Sequence, residues 1–181
     1  SDTFASLSEV TLSDGRVINI DGSSKPTLDV RAGIDWNSFP GGLPSNFNPG
    51  NVNATFGNNA TSADITAGNI RIADGGNGGQ LLFTNRYRNN GSLTGNILLN
   101  SEVDAKDALQ GGKLDFDSRG GITVNGIIDA SGNEVTTVNG GDISLLAAGD
   151  ITVNDGVGII ADGAISGNII LNAGGDITLT G

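Results

Sequence analysis

Any chemistry in this chain has to be done without imidazole or thiol groups. Its 181 residues hold 20 Asp and Glu against 9 Lys and Arg, a net charge of −11, and no His, Cys or Met. Without His or Cys there is no Ser/His/Asp relay, no thiol nucleophile, no imidazole or thiolate metal site and no disulfide. Asp115 and Asp117 flank Phe116. On a strand that spacing turns both carboxylates to one side, roughly 7 Å apart, a separation that suits acid–base work on a sugar. A second carboxylate pair, Asp150 and Asp176, sits at matching places in two similar tracts, beside Gly149 and Gly175. Four aromatics, Trp36, Phe39, Phe47 and Phe56, fall together in residues 34–60, where a sugar ring could stack on Trp36.

Each of these features has a plainer reading. Asp115 and Asp117 align with Ser144 and Leu146 in the next repeat and with Ile170 and Asn172 in the one after, so no charged cluster builds around them and solvated surface is preferred. Asp150 and Asp176 would stack about 5 Å apart, which like charges tolerate only by accepting backbone N–H groups or sharing a cation. Turn closure is preferred there, with a Ca²⁺ bridge as the alternative and no other cofactor expected. Asp142, matched by Asn168, reads as turn chemistry for the same reason. The Gly75–Gln80 tract has the glycine rhythm of a calcium-binding roll but places Gln80 where the ligand Asp belongs, and it lacks a phosphate loop's Gly-Lys-Ser/Thr ending. Arg86-Tyr87-Arg88 could touch an acidic glycan and reads by default as an exposed turn. The aromatics of 34–60 either recognise a ligand or pack down on the molecule, and packing is preferred. With nine scattered cations the chain suits neither nucleic acid nor an anionic membrane surface, and no apolar run reaches the roughly 20 residues of a membrane helix.

The elements that would carry these residues show themselves as a repeat. Residues 141–154 (GDISLLAAGDITVN) and 167–180 (GNIILNAGGDITLT) are identical at eight of fourteen positions at an offset of 26. Residues 112–125 (GKLDFDSRGGITVN) match 141–154 at six of fourteen positions at an offset of 29, and Gly95–Asn100 matches Gly167–Asn172 at five of six. Within each unit the period is two: Ile143, Leu145 and Ala147 alternate with Ser144, and Ile151 and Val153 alternate with Thr152 and Asn154. Gly, Asn and Asp mark the joints. Three short strands per unit are expected, at 143–146, 151–154 and 158–161, continuing at 169–172 and 177–180.

Identity at one full unit's distance is explained if identical residues lie directly above one another. A coil that closes after three strands does this, with parallel rungs about 4.8 Å apart. The expected fold is all-β: a right-handed parallel β-helix with Ile143, Leu145, Ile151, Val153, Ile169, Leu171, Ile177 and Leu179 in its core ladder. An antiparallel sandwich is the runner-up, since hairpins do not require identity at such an offset. The whole chain reads as one domain. Residues 1–33 would be early coils or an N-terminal cover, with strands at Val17–Ile20 and Leu28–Arg31. Residues 34–60, with three of the four prolines, would be an extrahelical loop. Residues 61–181 would be repeat coils, with further strands at Ile70–Ala73 and Leu81–Thr84. They break off mid-coil at Gly181, as a truncated solenoid would.

The tracts GGDISLLAAGDITVN, GGITVNGIIDASG and GGDITLTG resemble repeats of filamentous-haemagglutinin-type exoproteins, the large passengers of two-partner secretion in Gram-negative bacteria. The resemblance runs from about Gly95 to Gly181 and extends more loosely from Gly68. It implies a β-helix, secretion to the cell surface or medium, an adhesive or surface role, and an outer-membrane transporter as partner. A surface glycan or protein of a host or neighbouring cell would be the ligand. The family's secretion domain carries Asn-Pro-Asn motifs; here Asn48-Pro49 is followed by Gly50, so the chain reads as a passenger segment. The expected function is a non-enzymatic structural or adhesive rod. A carbohydrate-binding module and a β-helical polysaccharide-degrading enzyme are the alternatives.

Overall fold

The computed structural model describes residues 9–20, 25–33, 62–72, 78–86, 94–107, 109–132 and 138–180. Its body is a parallel β-solenoid with three strands per turn. The first face carries β3 (Thr27–Arg31), β6 (Gln80–Thr84), β9 (Lys113–Ser118), β12 (Ile143–Ala147) and β15 (Ile169–Ala173). The second carries β4 (Ile65–Ala67), β7 (Ile97–Leu99), β10 (Ile122–Val124), β13 (Ile151–Val153) and β16 (Ile177–Leu179). The third carries β5 (Ile70–Arg71), β8 (Val103–Asp104), β11 (Ile128–Asp129) and β14 (Ile159–Ile160).

The register follows the repeat. Ile143 pairs with Ile169 and Leu145 with Leu171. Ile151 pairs with Ile177 and Val153 with Leu179. One turn earlier, Leu114 and Phe116 lie under Ile143 and Leu145. Stacking identical or similar residues lets each column shed water along its length, which is why the sequence repeats at the rung distance. The column Val30, Phe83, Phe116, Leu145, Leu171 runs through the first face. Phe83 and Phe116 meet within it edge to face, with centroids 5.7 Å apart. The columns of all three faces join in one axial core. On the last turn Ile169, Ile177 and Leu179 are exposed, because they have a rung beneath them and none above.

The corners use polar side chains and glycine. Asn100, Asn125 and Asn154 form an amide ladder at the end of the second face, with Asn125 donating to Asn100 (3.2 Å) and Asn154 to Asn125 (2.5 Å). Where the coil turns back onto the first face, Gly112, Gly141 and Gly167 stack. A Cβ on Gly141 would run into the Gly112 carbonyl, and one on Gly167 into that of Gly141.

The strands expected from the sequence are present with bounds shifted by a residue or two; on the third face they shrink to two residues each. Within residues 1–33, β3 is an early coil strand, while residues 9–20 are not a coil of the solenoid. They form an antiparallel hairpin, β1 (Glu9–Thr11) and β2 (Val17–Asn19), that lies on the outer flank of the first face. Its turn, Ser13-Asp14-Gly15-Arg16, uses Gly15 at φ 87°, a left-handed conformation that suits glycine. The loop expected at 34–60, with Trp36, Phe39, Phe47 and Phe56, lies outside the described residues.

Candidate functional site

Among the described residues, the first face brings the carboxylates Asp115 and Asp117 against hydroxyl and guanidinium groups. Strand alternation sends Leu114 and Phe116 of β9 inward and Asp115 and Asp117 outward. The expected outward direction holds, but solvation does not. Asp115 is 1% exposed and Asp117 2%. The reason is the hairpin, which presses Val10, Leu12, Ile18 and Ile20 onto Leu82 and Leu146, the outward apolar residues of β6 and β12, and so roofs the two aspartates between them.

Beneath that roof most of the polar groups find partners within the protein. Asp117 accepts from the Ser13 backbone N–H (2.8 Å) and hydroxyl (2.7 Å), and pairs with the Arg86 guanidinium at 2.9 Å. Arg86 also donates to the Ser118 carbonyl (2.7 Å). It is therefore part of the seam and not the tip of an exposed turn, while Tyr87 and Arg88 lie outside the described residues. Asp115 accepts from the Ser144 hydroxyl at 2.5 Å. Arg16 reaches it only at 3.6 Å, because the same guanidinium is held by Asp14 at 2.6 Å. Two buried atoms, Asp115 Oδ2 and Arg16 Nη2, are left without a hydrogen bond. Gln80, which stands where a calcium roll would need its ligand Asp, donates to the Asn19 carbonyl of the hairpin (2.7 Å).

Burial pushes the carboxyls of both Asp115 and Asp117 upward, outweighing the hydrogen bonds and cations that favour their charged forms. Asp14, near the surface beside Arg16, is lowered instead: desolvation, its largest single influence, raises it, but the hydrogen bonds and charge of Arg16 together outweigh that. Two raised carboxyls side by side have the proton-holding character of an acid–base pair, but here they face a protein roof where a substrate would have to lie.

The other site residues resolve more simply. Asp150 and Asp176 do stack, and the Asp150 carboxylate accepts the Asp176 backbone N–H at 2.9 Å. Asp142 likewise accepts from the backbone N–H of Asn168 (3.0 Å) and its amide (3.1 Å). Asp64 does the same for the Asn96 N–H (2.7 Å), and Asn96 for that of Gly121 (2.8 Å). Corner carboxylates and amides thus tie one rung to the next. Among the described residues no three Asp or Glu come together as a metal site, so Asp150 and Asp176 lack a third acidic ligand. The core-ladder residues all occupy inward columns.

Sequence reading missed the hairpin and the residues it brings: Ser13, Asp14, Arg16, Leu82 and Leu146. Two signals mark it. Asp14-Gly15 between Val10-Thr11-Leu12 and Val17-Ile18-Asn19-Ile20 is a hairpin pattern. The consecutive apolar residues Leu81-Leu82-Phe83 and Leu145-Leu146-Ala147 also break the alternation that a water-facing sheet needs.

A shallow cavity of about 320 Å³ lies along the glycine corner, floored by Gly78, Gly111, Gly112, Gly140 and Gly141 and edged by Lys25, Gln110, Lys113 and Asp142. Its floor amides are already used between rungs, for instance Gly111 N–H to the Asn139 carbonyl and Gly140 N–H to that of Ile165.

Compared with protein-family models, with curated proteins and with solved structures, the chain matches none.

Proposed function

We propose that this chain is a non-enzymatic segment of a secreted, surface-exposed rod, of the filamentous-haemagglutinin type that its repeats resemble. In this reading a Gram-negative cell exports it through an outer-membrane transporter. Stacked rungs then hold peripheral elements such as the 34–60 segment away from the cell, where they meet a glycan or protein of another surface. The observation that carries the reading is the register, in which Ile143 sits on Ile169 and Ile151 on Ile177. A column of that kind extends in one dimension by repeating, which suits a stiff rod more than an enclosed site. Further support comes from the hairpin, which occupies the position a substrate of Asp115 and Asp117 would need. The test is immunogold labelling of intact producing cells. Label on the outer surface, lost when the partner transporter is deleted, is the expected outcome; label confined to the cell interior overturns the proposal.

Carbohydrate binding has one specific observation in its favour, the glycine-floored groove between Lys25 and Lys113. Its flat backbone floor and polar rim suit a sugar chain laid along the corner. Glycan-array binding that disappears in Lys113→Ala would favour that reading.

A further inference from the structure

The hairpin is attached to the solenoid in an unusual way. β1 and β2 pair only with each other and join none of the solenoid's three sheets. Contact is made instead by apolar side chains on Leu82 and Leu146 and by the polar seam over β9. An isolated two-stranded hairpin is marginal in water, so these side chains decide whether it stays docked. The seam is imperfect at its centre, where Arg16 stands 3.6 Å from Asp115 and each keeps one buried atom unbonded.

The carboxylates have two environments, one for each position of the hairpin. Undocked, Asp115 and Asp117 would stand on the outward face of a sheet, in water. Docked, both are sealed. The charged groups around them come from every element at the seam. The hairpin supplies Asp14 and Arg16, β3 supplies Asp29 and Arg31 bound to each other at 2.8 Å, and β9 supplies Lys113. Arg86 follows β6, and Arg119 follows β9 beside it. β12 presents only the neutral Ser144 and Leu146 to this surface.

We propose that the Glu9–Asn19 hairpin is a proton-linked clasp, held on the flank while Asp115 and Asp117 carry protons and loosened as they ionise, so that Leu82, Leu146 and both carboxylates are uncovered. The sign follows from linkage. Burial raises both carboxyls in the docked form, so between the ordinary value of 3.8 and the raised one the docked form binds more protons than the open form. Docking is therefore strongest in acid and weakens as pH rises through that window. Asp14 is lowered by Arg16 of its own hairpin, a pairing that undocking leaves in place, so it adds little to the pH dependence of docking. It lies near the surface, where solvent screens it, so the two sealed carboxyls set the net direction.

Amide hydrogen exchange on the intact chain reads this directly. Protection of residues 9–20 is divided by that of residues 143–153 in the same sample, which cancels the intrinsic pH dependence of exchange. From about pH 4 to about pH 7 the ratio is expected to fall by at least about threefold. In Asp115→Asn/Asp117→Asn the seats keep their shape and cannot ionise, so the ratio stays high at both pH values. A ratio that is flat or rises with pH in the unaltered chain overturns the clasp, as does a fall that persists in a folded double variant. If the double variant loses its β-sheet circular dichroism, Asp117→Asn alone is read in its place, and it must reduce the fall.

Discussion

Replacing Leu145 by Ala tests the stacked core most directly. Leu145 is fully buried, with Phe116 beneath it and Leu171 above. The substitution removes three carbons, worth about 2.4 kcal/mol at ~0.8 kcal/mol each. Neighbours locked in two rungs relax little, so a residual void of roughly 50 Å³ adds about 1.2 kcal/mol at ~24 cal/mol per Å³. The expected loss is about 3.5 kcal/mol, or a fall in Tm of roughly 7–14 °C for a chain of this size. Leu171 is the control. It has the same residue type in the same column, but it lies on the last rung and is only half-buried. Leu171→Ala leaves no enclosed void and gives up about half the transfer energy, about 1.2 kcal/mol. Urea unfolding followed by far-UV circular dichroism, with equal m-values for the chains compared, measures both. A loss at Leu145 below about 1 kcal/mol, or no larger than that at Leu171, would refute the one-column account of the core.

Two further substitutions separate the corner from the flank. Gly141→Ala places a Cβ against the Gly112 carbonyl; since backbone on both sides must shift, the expected destabilisation is about 2–4 kcal/mol, seen as a lowered urea midpoint, and an unchanged midpoint would mean the corner is looser than described. Leu146→Ala removes an outward side chain that only the hairpin covers. Exchange of residues 9–20 is expected to accelerate by roughly 30-fold or more, from about 2 kcal/mol of lost contact, while residues 97–99 and 122–124 hold their protection; equal acceleration in both regions would show that the hairpin opens only with the whole fold.

Most of the solenoid could be read without coordinates because its information is local and repeated. Alternation in Ile143–Ala147 identifies a strand and its buried side. The 26-residue identity of Ile143 with Ile169 and of Ile151 with Ile177 then leaves parallel stacking as the simplest way to bring like onto like. Gly112, Gly141 and Gly167 were visible as matched glycines, though not the reason for them, which is the close approach of one rung's backbone to the next. Asp150 and Asp142 read as local turn closures in the sequence, whereas each accepts a backbone N–H from the next rung, that of Asp176 and of Asn168, so the donor is supplied by stacking and not by the local joint.

The seam over β9 was different. That Asp115 and Asp117 point away from the core follows from their parity with Phe116, and the sequence determined this along with the strand period, the rung spacing and the core columns. Whether they meet water depends on what lies over the face, and the segment that does so is about a hundred residues away, Ser13 reaching Asp117 across 104 positions. No periodicity encodes such a contact. It arises because apolar side chains left on the outside of one element, Leu82 and Leu146, are matched by those left on one side of another, Val10, Leu12, Ile18 and Ile20. Only the folded chain brings the two sets together, and in doing so it turns a pair of surface carboxylates into buried, proton-favouring groups.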